Sequence, residues 1–128
     1  MKKGFTFIEI LVVVTIIGLL AGIGAVSYSQ FTKSSRDARR KADVENLRAA
    51  LEMYRSNSTT SSYPDRINDL IGSYIDAVPT DPKGTSYTYT ISPGGCNEVA
   101  TICTSYALSI SLEVGGTYTG TPYGSSED

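Results

Sequence analysis

The sequence predicts an α+β protein in which one long N-terminal α-helix packs on a small antiparallel β-sheet head. Three observations lead to this fold class. The chain from Phe5 to Val26 is almost entirely apolar, no proline occurs before Pro64, and the hydrophobic period changes from helical to alternating in the second half. We therefore expect a helix with a membrane-spanning half and an amphipathic half, followed by strands.

The apolar run, residues 5–30, is expected to form a transmembrane or filament-core helix, because it is long enough to cross a bilayer of about 30 Å. Glu9 is the exception within it, since an ionised carboxylate in hydrocarbon is costly unless it finds a partner. A cleaved secretory signal, with Lys2 and Lys3 before the apolar core and a cut after Ala25, is an alternative. Glu9 inside the apolar core argues against that alternative.

Residues 31–56 are predicted to continue the helix as an amphipathic half that enters the head, because strong helix formers dominate there. Apolar residues recur at intervals of three and four, and we expect this stripe to pack on the head: Val44, Leu47, Leu51 and Tyr54. Between residues 33 and 55, seven Lys or Arg oppose four acids, which makes a basic collar. Three acid–base pairs at i,i+4 spacing predict ion pairs on its solvated face: Arg39–Asp43, Lys41–Glu45 and Arg48–Glu52.

Residues 57–128 are predicted to form the globular head, and this part of the chain is acidic. A short helix should end near Gly72. The stretches YTYTIS and SYALSISLEV favour two antiparallel strands, and GGTYTGTPYGSSED a third, edge strand followed by a loose polar tail.

Cys96 and Cys103 are the only cysteines, and their spacing fits neither a C-x-x-C redox motif nor a zinc site. A small structural disulfide outside the cytoplasm is the favoured interpretation, with two free cytosolic thiols as the alternative. The chain has no His, which excludes His-based general bases and triads, and it has no phosphate-binding glycine loop. We expect no enzyme activity, no catalytic residue and no cofactor, and predict no metal site.

The N-terminal stretch GFTFIEILVVVTIIGLLAGI resembles the N-terminus of type IV pilins and pseudopilins. The resemblance implies that Met1–Gly4 is a leader, that a prepilin peptidase cuts between Gly4 and Phe5, and that Phe5 is then N-methylated. It also implies an assembly role for Glu9, which would neutralise the terminal amine of a neighbouring subunit. A second stretch, YPDRINDLIGSYIDAVPTDPKGTSYTYTI, resembles the head of the major pseudopilin of type II secretion.

The same resemblance implies a structural subunit of a type IV pilus-like filament or a secretion pseudopilus. Its partners would be further copies in a homopolymeric filament, other pilins or pseudopilins, the prepilin peptidase, an inner-membrane assembly platform with its ATPase, and membrane lipid. The subunit would cross the inner membrane once, with its N-terminus cytoplasmic and its head outside, and would end in a periplasmic or extracellular filament. Five Lys or Arg between residues 33 and 41 outnumber Lys2 and Lys3, however, and favour the opposite orientation.

Gly18 matches a position at which helices of this family loosen in filaments, and the family's usual proline is replaced by Val26. Gly22 and Gly24 are expected to supply the flexibility instead, since each glycine costs a helix about 1 kcal/mol relative to alanine. The resemblance also implies a calcium ion in a loop of the head, for which the sequence identifies no ligands.

Two other functions remain open at the sequence level. One is a competence-type pilin for DNA uptake, although nucleic acid is not expected as a partner because the head is acidic. The other is a single-pass, membrane-anchored binding head that does not polymerise.

Overall fold

The computed structural model describes residues 4–97 and 100–128. A single helix, α1, runs from Phe7 to Asn57 and confirms the long helix predicted from the absence of proline. The chain divides into two compact units, Met1–Ser35 and Arg36–Asp128, and α1 contributes to both. The second unit contains the whole sheet and is called the head below.

A short 3-10 helix follows α1 at Ile67–Leu70, where the sequence predicts a short helix. It buries Leu70, and the chain turns away at Gly72, whose φ of 88° is accessible to glycine at no steric cost. The 3-10 helix therefore attaches the connection between α1 and the sheet to the core.

The sheet contains four antiparallel strands in the order β1-β2-β3-β4. Their bounds are β1 Thr88–Ser92, β2 Ser105–Ser111, β3 Thr117–Thr121 and β4 Gly124–Glu127. The predicted hairpin is confirmed by the β1–β2 pairing, in which Tyr89 lies opposite Leu108. Alternate residues of β2 point into the core, as the period of a half-buried strand requires.

The prediction for the C-terminus is wrong: the polar tail is not loose but forms β4, and β3 is an inner strand. The connection Pro122–Tyr123 is a tight hairpin turn, in which the Thr121 hydroxyl donates to the Gly124 carbonyl at 2.9 Å. Glu127 lies opposite Tyr118 and forms an ion pair with Lys41 of α1. Pairing and an ion pair thus order a segment with few strong β-formers.

The core of the head lies between α1 and one face of the sheet. The predicted stripe is confirmed, because Val44, Leu47 and Leu51 are fully buried and Tyr54 is packed against them. Leu108 and other apolar residues of β2 complete the core from the sheet. The amphipathic half of α1 is thus held by its own head.

Gly120 of β3 lets the sheet approach α1 closely. A Cβ at this position would lie 2.6 Å from Cδ of Arg48 and 2.9 Å from Cγ1 of Val44. No larger residue fits unless one of these elements moves, so the glycine is required by packing rather than by backbone conformation.

Candidate functional site

The N-terminus of α1 is closed by reciprocal hydrogen bonds between Thr6 and Glu9. The Glu9 carboxylate accepts from the backbone N–H and the hydroxyl of Thr6, both at 2.7 Å, while Thr6 Oγ1 accepts from the Glu9 N–H at 3.4 Å. This arrangement is a capping box. Sequence reasoning missed Thr6 as the partner of Glu9 within one chain, although the T-x-x-E spacing is a known signal for it.

The residues just before α1 are open to solvent. Phe5 is 84 % exposed, and beyond its chain neighbours no described residue has an atom within 4 Å of the position that a Cβ on Gly4 would occupy. Phe5, which follows the peptide bond at which the resemblance places the cut, is therefore open to solvent.

The first part of α1 presents apolar side chains on all its faces. Every described large apolar side chain from Phe5 to Phe31 is exposed, and this part of α1 is long and apolar enough to cross a membrane. A soluble monomer rarely exposes a continuous apolar surface of this size, so this surface is suited to lipid or to other helices.

The three glycines of this segment lie in continuous helix. Gly18, Gly22 and Gly24 all fall within α1, and a Cβ at each would meet open space. Among the described residues, none requires a small side chain at these positions. The predicted loosening concerns the assembled filament and stays a prediction.

The acids of the amphipathic half of α1 bind tyrosines of the head instead of forming the predicted i,i+4 ion pairs. Among the side chains that the structure describes, none of those three pairs is formed. The tyrosine hydroxyls donate to the acids as follows: Tyr87 to Asp43 at 2.7 Å, Tyr118 to Glu45 at 2.8 Å and Tyr63 to Glu52 at 2.9 Å. The prediction of i,i+4 ion pairs is wrong, because tyrosine hydroxyls of the head donate to these acids instead.

A buried charge network joins α1 to two loops of the head. Arg40 is 2 % exposed, and its guanidinium donates to Asp81 at 2.5 and 3.0 Å and to Asp37 at 2.8 Å. The hydrogen bonds from Arg40 hold the pKa of Asp81 well below its usual range, and Asp81 in turn raises the pKa of Arg40. Both groups therefore stay ionised although they are buried.

Glu113, in the loop between β2 and β3, extends this network to the surface. Its carboxylate accepts from Arg36 at 2.5 and 2.7 Å and from Lys83 at 2.7 Å. These hydrogen bonds, that from Arg36 first, lower the pKa of Glu113 to about 2. Sequence reasoning missed the network, because most of its members lie far apart in the chain. Nothing in the sequence distinguishes Arg40 from the other residues of the basic collar.

Cys96 and Cys103 are joined by a disulfide within the connection between β1 and β2. Both half-cystines are buried, and the Cys103 backbone N–H donates to Ser62 Oγ at 3.0 Å. The Tyr63 N–H donates to the Cys103 carbonyl at 3.0 Å. The disulfide loop is thereby attached to the segment that follows α1.

Within the described residues, no three His, Cys, Asp or Glu side chains are grouped so that they could hold a metal ion. The described carboxylates therefore do not supply three side-chain ligands at one place for the calcium ion implied for the head. Several acids of the head bind arginine, lysine, tyrosine or backbone N–H groups, among them Asp81, Glu113, Asp43 and Asp37.

Comparison with known proteins finds a family model for the N-terminus and relatives that cover most of the chain. The family model described as the prokaryotic N-terminal methylation motif matches residues 1–25. Type II secretion system core protein G of Vibrio cholerae serotype O1 is 30% identical over 107 residues, which cover 73% of each chain. Core protein G of Klebsiella pneumoniae is 32% identical over 114 residues, covering 77% of this chain and 80% of that protein.

A fimbrial protein of Pseudomonas aeruginosa is 41% identical over a shorter stretch of 51 residues, covering 40% of this chain and 33% of that protein. No solved structure gives a significant match. The N-terminal motif and the relatives that cover most of the chain indicate the same class of protein. The chain belongs to the type IV pilin and pseudopilin family and is a structural subunit of a pilus or pseudopilus.

Proposed function

We propose that this subunit builds a secretion pseudopilus rather than a surface pilus. The observation that carries the proposal is the extent of the matches. The matches to core protein G are about twice as long as the 51-residue helix α1 and therefore include the head. The fimbrial matches are shorter, at 51 to 63 residues, and cover less than half of the chain. Head residues are those that distinguish one filament from another on its outer surface, so similarity there favours the secretion system.

In this proposal the subunit is first anchored in the membrane by the apolar part of α1. A prepilin peptidase cuts the exposed bond between Gly4 and Phe5, and Phe5 is methylated on the amine that the cut releases. The N-terminus lies on the cytoplasmic side of the inner membrane and the head outside. The subunit has no enzyme activity of its own, and an assembly platform with its ATPase moves it from the lipid into the filament.

Glu9 acts in the step from membrane to filament. Within one chain its carboxylate is held by Thr6 at the start of α1, and none of the described Lys or Arg side chains forms an ion pair with it. In the filament the terminal amine of a neighbouring Phe5 supplies the opposite charge. A buried charge without its partner costs about 3–5 kcal/mol, so a subunit that pairs its Glu9 is strongly favoured over one that cannot.

The test separates the charge of Glu9 from its capping hydrogen bonds. Glu9→Gln removes the charge but keeps an oxygen that can accept from the Thr6 N–H, since Gln also serves in a capping box. Thr6→Ala is the matched control, because it removes the Thr6 hydroxyl, and with it half of the capping box, but keeps the charge. The measurements are the amounts of cleaved subunit in the membrane and of subunit in the sheared filament fraction.

We expect Glu9→Gln to be cleaved normally and to lose at least about tenfold of its filament fraction, since 1.4 kcal/mol already corresponds to tenfold. Thr6→Ala should assemble like the wild type once cleaved. Equal assembly of Glu9→Gln and the wild type would overturn the role of the charge. Loss of assembly in both variants to the same extent would assign the effect to the helix start.

The choice of machine has its own test. Deleting the gene should leave secreted enzymes trapped in the periplasm, and restoring the chain should release them to the medium. A DNA-uptake pilin is the competing function, and it requires filaments that bind DNA with an affinity that falls as salt rises. Normal secretion in the deletion strain together with such DNA binding would refute the secretion assignment.

A further inference from the structure

Three carboxylates of the head share one property: each of their oxygens already accepts hydrogen bonds from the protein. Both oxygens of Asp81 accept from Arg40, and Oδ2 also accepts from the backbone N–H of Lys83 and of Thr85, at 3.0 and 3.1 Å. The side chain of Asp81 is completely buried. No oxygen of this carboxylate is directed to a place that a further ligand could occupy.

Asp37 and Glu113 are saturated in the same way. Asp37 accepts from Arg40 and from the backbone N–H groups of Glu113 and Val114, at distances between 2.7 and 3.0 Å. Glu113 accepts from Arg36 and Lys83, and its Oε1 lies 3.5 Å from a guanidinium nitrogen of Arg40. Three acids and three bases therefore neutralise one another, with the guanidinium of Arg40 at the centre.

The network fixes two loops to the same stretch of α1. Asp81 holds the turn at residues 81–85 through backbone N–H groups, and Asp37 holds the β2–β3 loop through those of Glu113 and Val114. Arg40 bridges the two acids. A divalent cation stabilises loops by the same means, since it gathers carboxylates from separate segments around one positive centre.

We propose that the guanidinium of Arg40 is the internal cation that fixes these two loops to α1, so that the head folds and stays folded without calcium or another divalent ion. The resemblance to the major pseudopilin implies a calcium ion in the head. In this chain the carboxylates of Asp37 and Asp81 bind the guanidinium of Arg40 instead of a metal ion. The inference concerns the stability of the head and does not depend on which filament the subunit builds.

The first test measures the full chain in detergent, in calcium chloride and in EDTA. Thermal unfolding is followed by the near-ultraviolet circular dichroism of the tyrosines, eight of which lie in the head. We expect the same Tm in both solutions. A structural calcium ion present at about 100 times its Kd would raise the Tm by roughly 10–20 °C, and such a shift would overturn the proposal.

Calcium could also act elsewhere on the head, for example at Asp65 and Asp69, which lie side by side on the surface. The same measurement covers that case, because a rise in Tm from binding at any site would contradict a cation-independent head. An unchanged Tm supports the proposal whether or not calcium binds weakly.

The second test replaces the central cation. Arg40→Met keeps a long side chain but removes the charge, and leaves buried carboxylates unpaired. Arg39→Met is the matched control, because Arg39 is the exposed neighbour on α1. We expect Arg40→Met to lower the Tm by roughly 10 °C or more, and Arg39→Met to stay within about 4 °C of the wild type. Equal Tm values for the two variants would overturn the role of Arg40.

Amide hydrogen exchange measures the stability of each loop separately. It keeps the proposal testable if the Arg40→Met chain does not fold. In the wild type the backbone N–H groups of Lys83, Thr85, Glu113 and Val114 should be protected equally in EDTA and in calcium. Asp81→Asn is a milder variant that weakens the bonds to Arg40 without removing the guanidinium. It should speed exchange at Lys83 and Thr85 most; rapid exchange of these amides in wild-type protein in EDTA would contradict the proposal.

Discussion

Replacing Gly120 with alanine should destabilise the head, because β3 lies directly against α1 at this residue. The added Cβ would lie 2.6 Å from Cδ of Arg48 and 2.9 Å from Cγ1 of Val44, whereas carbon atoms in contact are about 3.5–4.0 Å apart. Neither neighbour can move freely. Val44 is fully buried, and Arg48 donates to the Thr121 carbonyl at 3.0 Å and to Glu45 at 2.5 Å.

The size of the effect follows from this overpacking. Forcing an extra methyl group into a packed core costs about 1–3 kcal/mol. In a domain of 60–100 residues, 1 kcal/mol corresponds to about 4–8 °C in Tm, and the head, Arg36–Asp128, is of this size. We therefore expect Gly120→Ala to lower the Tm of the full chain in detergent by roughly 5–20 °C, as measured by tyrosine circular dichroism.

Two further variants make this prediction specific. Gly94→Ala is the matched control, since a Cβ there would meet no atom within 4 Å, and its Tm should not fall. Val44→Ala removes the methyl groups that the new Cβ would strike, so the double variant with Gly120→Ala should be less destabilised than the sum of the two single variants. If Gly120→Ala were as stable as Gly94→Ala, the close contact between β3 and α1 would be refuted.

Three other predictions concern conditions and the disulfide. Acid should destabilise the head, because the hydrogen bonds from Arg40 and Arg36 lower the pKa values of Asp81 and Glu113 in the folded chain. These carboxyls protonate at a higher pH in the unfolded chain, so the stability present above about pH 4 is lost as the pH falls. A Tm that stays constant down to about pH 3 would argue against the network. Alkali should also destabilise the head, because burial and Asp43 raise the pKa of Tyr87, and the stability present below about pH 10 is therefore lost as the pH rises. Tyrosinate absorbance that appears without loss of structure would contradict this prediction. Replacing Cys96 and Cys103 with serine should lower the free energy of unfolding by about 2–3 kcal/mol in urea titrations, because the crosslink restricts the unfolded chain. Unchanged stability would show that the loop is held by its hydrogen bonds alone.

The sequence predicts those parts of the fold that depend on neighbouring residues. Leu47 and Leu51 recur with the helical period, and the structure buries both. The strand period likewise identified β2, in which alternate residues are buried. Glu9 stood out because a single charge in an apolar run is anomalous on any face of a helix.

Contacts between distant residues could not be predicted in the same way. Arg40 meets Asp81 across 41 positions, and Asp37 meets the N–H of Glu113 across 76, so no spacing rule connects them. The i,i+4 pairs were predicted from helix geometry alone, but tyrosines from distant parts of the head bind the same acids. The strand β4 was missed for a similar reason, since its stability comes from pairing with β3 and not from its own composition.

The most direct test of the filament account is the N-terminal mass of the native subunit recovered from sheared filaments. The account predicts a chain that begins at methylated Phe5, with the apolar part of α1 intact. A chain that begins after Ala25 would mean that this helix is discarded, and an uncut Met1 would leave a membrane-anchored head. Either of these results, or the absence of the chain from filaments, would contradict assembly through the N-terminal helix.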